Sequence, residues 1–317
     1  MLLLQRFFPY CAHMTIFLTL LIKIIPLYFL IALGFFAGRF LQVQKETIAT
    51  LLIYITAPVV IFHGIVTMEL RWSLFLLPMF FFILCCAIST IFLWIGGFFW
   101  NDSTKSILAF TSGTGNTGYF GLPVAVALLG KRSVTIVVLC LLGFILYENC
   151  YGFFLTARAH HSVGNSVRKL IQLPTIYAFF LGLFANILGM PQTETYLNFA
   201  ASFRGTYTVL GMMMIGLGLS AIRRLSFDWA FVGVSFIAKF VVWPVVVLAF
   251  VVLDQSSLHL YDASIHTIMM LMSIVPLAAN TVAFATELKA QPEKASMAVF
   301  LSTIFALFYI PFMATFF

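Results

Sequence analysis

The sequence predicts an all-α polytopic membrane protein in which ten transmembrane helices form two inverted five-helix repeats. Three observations lead to this fold: the composition, ten long apolar runs, and proline and glycine positions that the two halves share. Of the 317 residues, 62% are hydrophobic and 9% are charged, and the mean hydropathy is +1.09. Soluble domains carry about 25% charged residues, so this chain has too little polar surface for a water-soluble globule.

Ten apolar runs are long enough to cross a bilayer core about 30 Å thick, which takes roughly 20 helical residues. Charges, prolines, glycines or short polar clusters bound each run. The predicted spans are 15–38, 48–68, 73–99, 105–129, 133–156, 171–189, 199–220, 227–252, 263–286 and 294–316. They leave no room for a soluble domain. No small-residue cleavage site follows the first 14 residues, so we expect span 1 to act as the insertion signal.

The basic residues predict the orientation, because Lys and Arg concentrate in cytoplasmic loops. Five lie on the side of the termini: Arg6, Arg71, Lys131, Arg132 and Arg204. Ten lie on the other side: Arg39, Lys45, Lys105, Arg158, Arg168, Lys169, Arg223, Arg224, Lys289 and Lys294. We therefore expect an inner (plasma) membrane protein with both termini outside. The net charge of +7 is explained by topology, and no nucleic-acid partner is expected.

The two halves of the chain have prolines and glycines at matching positions. Pro26 precedes Gly34 in span 1 by the same spacing as Pro174 precedes Gly182 in span 6. A repeat with five spans enters the membrane from opposite sides in its two copies, which is an architecture of secondary transporters. The predicted parts are a first repeat at 1–157, a short cytoplasmic linker at 158–170 and a second repeat at 171–317. The alternative is that Pro and Gly, common in membrane helices, align by chance.

The stretch TSGTGNTGYFGLP, residues 111–123, contains G-x-G-x-x-G at Gly113, Gly115 and Gly118. A dinucleotide-binding loop needs a strand before it, a helix after it and an acidic residue about 20 positions further on. Here the glycines lie inside an apolar span and the next acidic residue is Glu148. The context excludes a nucleotide site.

The same stretch predicts a broken helix near the middle of the bilayer. Pro123 lacks an N–H group and glycines favour departures from helical geometry, while Pro276 breaks span 9 in SIVPLAANTVAFATEL. Broken helices at matching places in two halves indicate a midplane substrate site, and half-helix N-termini suit an anion. The alternative for either asparagine is a hydrogen bond between helices. The candidate binding residues are Gly115, Asn116, Thr117, Gly118, Pro123, Pro276, Asn280 and Thr281.

A family resemblance rests on these residues. The segment GNTGYFGLPVAVALLG at 115–130 resembles the signature of the auxin efflux carrier family, in its compact bacterial type of malate or malonate permeases. ITAPVVIF around Pro58, LPTIYAFFLGLF, GLGLS at 216–220 and AKFVVWPVV agree with it. The resemblance implies a fold related to bile acid symporters and sodium/proton antiporters. Spans 1, 2, 6 and 7 would form a scaffold, with a dimer face, and spans 3–5 and 8–10 a mobile transport domain.

Glu148 in span 5 and Lys239 in span 8 are the two deepest ionisable residues, and such residues are functional candidates by default. We expect a charge pair beside the substrate site, in which Lys239 complements a substrate carboxylate and Glu148 binds a coupling proton. The alternative is a pair that only anchors span 5 to span 8. The histidines have no companion ligands at metal spacing, so no metal site and no cofactor are predicted. Coupling to H⁺ or Na⁺ stays open.

Together these features predict a non-enzymatic secondary transporter that moves small organic anions, mono- or dicarboxylates, by an elevator-type displacement in the bilayer. Auxin-like aromatic acids or amino acid derivatives are alternative substrates. A channel would show polar stripes on several spans, and a membrane-embedded enzyme would need convergent catalytic groups at one depth. An ATP-driven pump is excluded for this chain, because it lacks a phosphate-binding lysine loop.

Overall fold

The computed structural model describes residues 25–67, 72–129, 134–159, 162–220 and 228–314, which are helical and contain no strand. The helices of the first half are α1 (Ile25–Phe40), α2 (Lys45–Val66), α3 (Trp72–Phe99), α4 (Thr104–Ser112), α5 (Leu122–Leu129) and α6 (134–157). Those that follow are α7 (Val163–Ile171), α8 (Pro174–Ile187), α9 (Glu194–Ser220), α10 (Trp229–Leu258), α11 (Ala263–Ile274), α12 (Asn280–Glu287) and α13 (Pro292–Met313).

Within the described ranges, five helices are long and apolar enough to cross a membrane: α2, α6 from Ile136, α10, α13 and the Leu76–Phe99 part of α3. A sixth span results if α7 and α8, which are bent by 54° at their junction, count as one. The predicted multi-pass, all-helical character is confirmed, whereas the ten-span inverted repeat stays a prediction. The start of span 1 and six of the counted basic residues lie outside the described residues: Arg6, Arg71, Lys131, Arg132, Arg223 and Arg224.

Predicted spans 4 and 9 are each broken into two helices. The first break occupies residues 113–116 between α4 and a π-helical turn, Thr117–Gly121, that leads into α5. The second occupies 275–279 between α11 and α12. Val275 is extended (φ −63°, ψ 155°) because a following proline disfavours helical backbone. Pro123 does not break span 4 as expected, since its backbone lies inside α5; its side chain is outside what the structure describes.

Close helix packing holds α9 against α1. A Cβ on Gly34 of α1 would collide with the carbonyl of Met213, and one on Gly216 of α9 would collide with the carbonyl of Ile31. Small residues let membrane helices approach until their backbones touch. Helix α8 packs along α2, and α3 packs on α4 and α6, while α12 lies between α13 and α2. This packing places both helix breaks next to α9.

The connection expected at 158–170 contains a helix that the sequence analysis did not predict, α7. Val163, Val167 and Ile171 are exposed on it at helical spacing, and Arg168 and Lys169 lie in its last turn. An apolar face beside basic residues is typical of a helix that lies in the membrane interface. The linker is therefore a structured part of the fold.

A polar cluster ties three helix ends together. Lys294 at the start of α13 forms an ion pair with Asp228 at 2.9 Å and donates to Thr104 of α4 at 2.9 Å. Asp228 also accepts from the indole N–H of Trp100 at 3.1 Å and caps α10 by accepting from the backbone N–H of Phe231 at 3.0 Å. Partial burial raises the pKa of Asp228, but these hydrogen bonds and the Lys294 charge outweigh it and hold the pKa below its usual value.

Candidate functional site

The two helix breaks meet and are joined by a backbone hydrogen bond. The N–H of Asn116 donates to the carbonyl of Pro276 at 2.8 Å. The carbonyl of Asn116 accepts from the N–H groups of Phe120 and Gly121 at 3.2 and 2.9 Å, which starts the turn that leads into α5. Asn116 is thus the residue at which the first broken span both contacts the second and resumes its helix.

A small cavity of about 30 Å³ lies beside this crossing. Four elements form its wall: the first break with the turn after it, α6, α9, and the second break with the start of α12. The lining residues are Gly115, Asn116, Thr117, Gly118, Leu141, Phe144, Ile145, Glu148, Tyr207, Ala278, Ala279 and Asn280. The cavity therefore lies at the N-terminal ends of both resumed helices, where backbone N–H groups lack helical partners and the helix dipole is positive.

Glu148 joins both breaks by hydrogen bonds. It is only 3% exposed and lies in a π-helical turn of α6, Glu148–Gly152. Thr114 donates to Oε1 at 2.6 Å, and Nδ2 of Asn280 donates to Oε2 at 2.7 Å. Burial of a carboxylate is costly unless such donors satisfy it. Thr114 lies in the first break and Asn280 follows the second, so the hydrogen bonds of Glu148 hold the two breaks together.

Asn280 also connects the crossing to α9. Its Nδ2 group lies 2.7 Å from the hydroxyl oxygen of Tyr207, to which it donates. One amide thus bridges a carboxylate on α6 and a hydroxyl on α9. Any relative movement of α9 and α12 must break or exchange this contact.

Asn116 presents an acceptor that has no partner. The side chain is 2% exposed, and its Nδ2 group contacts the sulfur of Met212 at 3.9 Å. Its Oδ1 atom has no hydrogen-bond partner among the described residues. A buried amide oxygen without a partner is expensive, and Asn116 lines the cavity, so a donor supplied from the cavity would stabilise it.

Lys239 lies behind the cavity wall and is not one of the lining residues. It is fully buried in a π-helical turn of α10, Ala238–Val242. Its Nζ atom lies 4.5 Å from the ring centre of Trp243 and 5.8 Å from that of Phe144. Among the described residues Nζ has no hydrogen-bond partner. The direct contact with Glu148 that we expected is therefore not formed in this structure.

The other candidate residues are divided between the cavity and its surroundings. Pro276 takes part in the crossing through its carbonyl and does not line the cavity. Thr281 is fully buried one residue beyond the lining, and its hydroxyl has no partner among the described residues. Sequence reasoning missed Tyr207 and Thr114. The only signal for Tyr207 was a phenol inside a span, which does not reveal what the hydroxyl contacts.

Comparison with known proteins identifies the family of the chain. A family model described as membrane transport protein matches residues 19–314, nearly the whole chain. A protein of Methanocaldococcus jannaschii described as uncharacterized transporter MJ1031 is 24% identical over 294 residues, which cover 89% of this chain and 93% of that protein. The multi-pass fold, the broken helices and the family match point to the same class. The chain therefore belongs to this family of membrane transport proteins, the auxin efflux carrier family that residues 115–130 indicated.

Proposed function

We propose that this membrane transporter is a secondary carrier of small organic anions, mono- or dicarboxylates, which bind in the cavity beside the crossing. The cavity itself carries the proposal, because the starts of two helices and the amides of Asn116 and Asn280 converge on it. Helix N-termini and amide N–H groups favour a negative charge. A site beside two crossing broken helices fits alternating access better than a continuous pore.

In this proposal, Glu148 couples anion transport to the binding of a proton. An anion that replaces the Tyr207 hydroxyl as a partner of Asn280 would lie in the same cavity as the Glu148 carboxylate, and two like charges in a low-dielectric site repel. A proton on Glu148 removes this repulsion and adds an O–H donor for the substrate. Anion and proton would therefore bind together, and no resident cofactor takes part.

The proposed movement is of the elevator type. Helices α1, α2, α8 and α9 would form the scaffold, and the remaining spans, which contain both breaks, would move with the substrate. The hydrogen bond between Asn280 and Tyr207 lies on this boundary, and so do those from Thr50 and Tyr54 of α2 to Glu287 of α12, at 3.4 and 3.2 Å. A few weak polar contacts across a boundary can be exchanged at low cost.

The proposed setting follows from the charges and the exposed surface. We place the protein in the inner (plasma) membrane with both termini outside, with 1–157 and 171–317 as inverted repeats around a cytoplasmic linker. The scaffold would carry a homodimer contact. Helix α8 belongs to this scaffold and exposes large apolar side chains that a second copy would cover: Tyr177, Phe180, Leu181, Phe184 and Ile187.

The cavity wall favours one alternative substrate class. Leu141, Phe144 and Ile145 of α6 form an apolar side opposite the polar crossing. A small dicarboxylate leaves this side without a partner, whereas an auxin-like aromatic acid or an acidic amino acid derivative with an apolar side chain would cover it. The substrate test must therefore contain both kinds of acid.

The test is a thermal-shift screen of the purified protein with aliphatic dicarboxylates, monocarboxylates, aromatic acids and matched neutral amides. We expect an acid to raise Tm and its amide to have no effect. Asn116→Ala should reduce the affinity about tenfold, because the Nδ2 group, which contacts the Met212 sulfur at 3.9 Å, would donate to the substrate carboxylate, and a hydrogen bond to a charged group contributes about 1.5 kcal/mol or more. Asn198→Ala, an exposed substitution in α9, is the matched control. Stabilisation only by cations or neutral solutes would refute an anion site.

A further inference from the structure

A buried ammonium group that has no hydrogen-bond partner among the described residues lies beside the crossing, behind the cavity lining. Lys239 is fully buried, and among the described residues the rings of Trp243 and Phe144 face its Nζ atom at cation–π distance. Insertion of a lysine at the centre of a bilayer is strongly unfavourable. Ring contacts offset part of this cost, so a further source of negative potential is needed at this position.

The C-terminal ends of the two interrupted helices supply that potential. A Cβ on Gly115 would collide with Nζ, and it would lie 3.0 Å from the Cγ2 atom of Val275. The ammonium group is therefore placed between the two breaks, close to where α4 ends at Ser112 and α11 ends at Ile274. Terminal carbonyls of a helix lack intrahelical partners and carry partial negative charge.

One of these terminal carbonyls accepts a hydrogen bond from Trp243. Its indole N–H donates to the carbonyl of Ser112, the last residue of α4, at 2.8 Å. Lys239 and Trp243 lie one helical turn apart on α10, so the same face of one helix provides both a donor and a cation to the ends of the broken helices. In transporters with interrupted helices, such C-terminal ends and unwound carbonyls are where a coupling Na⁺ is bound.

We propose that Lys239 is a tethered cation which permanently occupies the monovalent-cation position of the crossing, so that the carrier works without Na⁺. The proposal rests on the transporter function above and assigns its ion dependence. The ammonium group moves with the broken helices through the whole cycle and cannot dissociate. Replacing it with a short neutral side chain leaves a position of negative potential that a free Na⁺ ion can enter.

The experiment measures Tm of the purified full chain in NaCl, KCl and choline chloride at one ionic strength, with no organic acid present. We expect wild type to be insensitive to the cation. Lys239→Ala should be less stable in choline, and Na⁺ should raise its Tm by about 5 °C in a saturable manner. Lys239→Arg keeps the charge and should not respond. Lys105→Ala, a partly exposed lysine of α4, is the control for loss of a positive charge.

Lys239→Gln is the second variant, because it retains most of the side-chain volume and offers a neutral oxygen ligand. If Lys239→Ala does not fold in choline, Lys239→Gln is measured in the same salts, and a Na⁺-specific rise in Tm supports the proposal. Folded variants that do not respond to Na⁺ or K⁺ overturn it, as does a saturable Na⁺ effect on wild type. No organic acid is used, so a failed acid screen and a failed cation test are separate results.

Discussion

Glu148→Gln tests proton coupling with a nearly isosteric change. In the structure Asn280 Nδ2 is 2.7 Å from Oε2 of Glu148, so a substrate oxygen bound to the same amide would lie roughly 5 Å from the carboxylate. Two unit charges at that distance repel by about 3 kcal/mol at an effective dielectric constant of about 20. This corresponds to a factor of about 200 in affinity. A proton on Glu148 cancels that penalty.

Two pH profiles follow from this estimate. In wild type, binding of one anion takes up one proton, so above the titration of Glu148 the Kd of the acid should rise tenfold per pH unit. In Glu148→Gln no proton is taken up, and Kd should remain constant between about pH 5 and pH 8 for an acid that is fully ionised there. The stability cost should be about 1 kcal/mol, because the amide replaces one acceptor by a donor.

The assay is isothermal calorimetry in two buffers of different ionisation enthalpy, supported by uptake into proteoliposomes with an imposed pH gradient. Glu287→Gln is the matched control, because Glu287 also accepts hydrogen bonds from neutral hydroxyls but does not line the cavity. That variant should keep the wild-type pH dependence. A Glu148→Gln protein with an unchanged pH profile would show that the proton binds elsewhere.

Two further substitutions probe the boundary and the polar cluster. Tyr207→Phe removes the hydroxyl oxygen that accepts from Asn280. The anion then no longer has to displace a hydrogen bond that contributes about 1 kcal/mol, so we expect about fivefold tighter anion binding. An unchanged Kd would contradict this. Asp228→Asn keeps an N-cap but removes the ion pair with Lys294 and should lower Tm by about 2–4 °C at pH 7. Because the pKa of Asp228 is lowered in the fold, its stabilisation is present above about pH 4 and is lost as the pH falls through the folded value. The Tm difference between the two proteins should therefore vanish in acid, and a constant difference would refute the electrostatic explanation.

The helix breaks show which parts of the fold local sequence determines. Pro276 acts on its own neighbour, because Val275 must be extended before a proline, and the second break was therefore predictable. The first break is predicted within the stretch 111–123 from its glycines and Pro123, and it lies at 113–116, at the first two of these glycines and not at the proline. Its position depends on the hydrogen bond from Asn116 to Pro276, a contact between distant segments that no local rule contains.

In the candidate site too, the sequence identified some residues but not the contacts between distant segments. Asn116, Asn280 and Glu148 were identified because a polar side chain in an apolar span is a strong local signal. The partners of these residues were not, since Tyr207 reaches Asn280 only through the packing of α9. The expected contact between Glu148 and Lys239 failed for a related reason: sequence gives the depth of each charge but not the side of the crossing on which it lies.

The separation of these two charges has a physical basis in the broken helices. The cavity side of the crossing holds two helix N-termini and donors from Thr114 and Asn280, all of which favour the Glu148 carboxylate. Lys239 lies close to the C-terminal ends of α4 and α11, which favour its ammonium group. In the proposed cycle the empty unit then carries Glu148⁻ and Lys239⁺, and the loaded unit carries neutral Glu148, Lys239⁺ and a monoanion. The net charge of these groups is zero in both states, so neither transit moves net charge across the membrane. A potential of 100 mV would otherwise cost roughly 2.3 kcal/mol per elementary charge. For a monocarboxylate, the proton gradient alone then drives uptake.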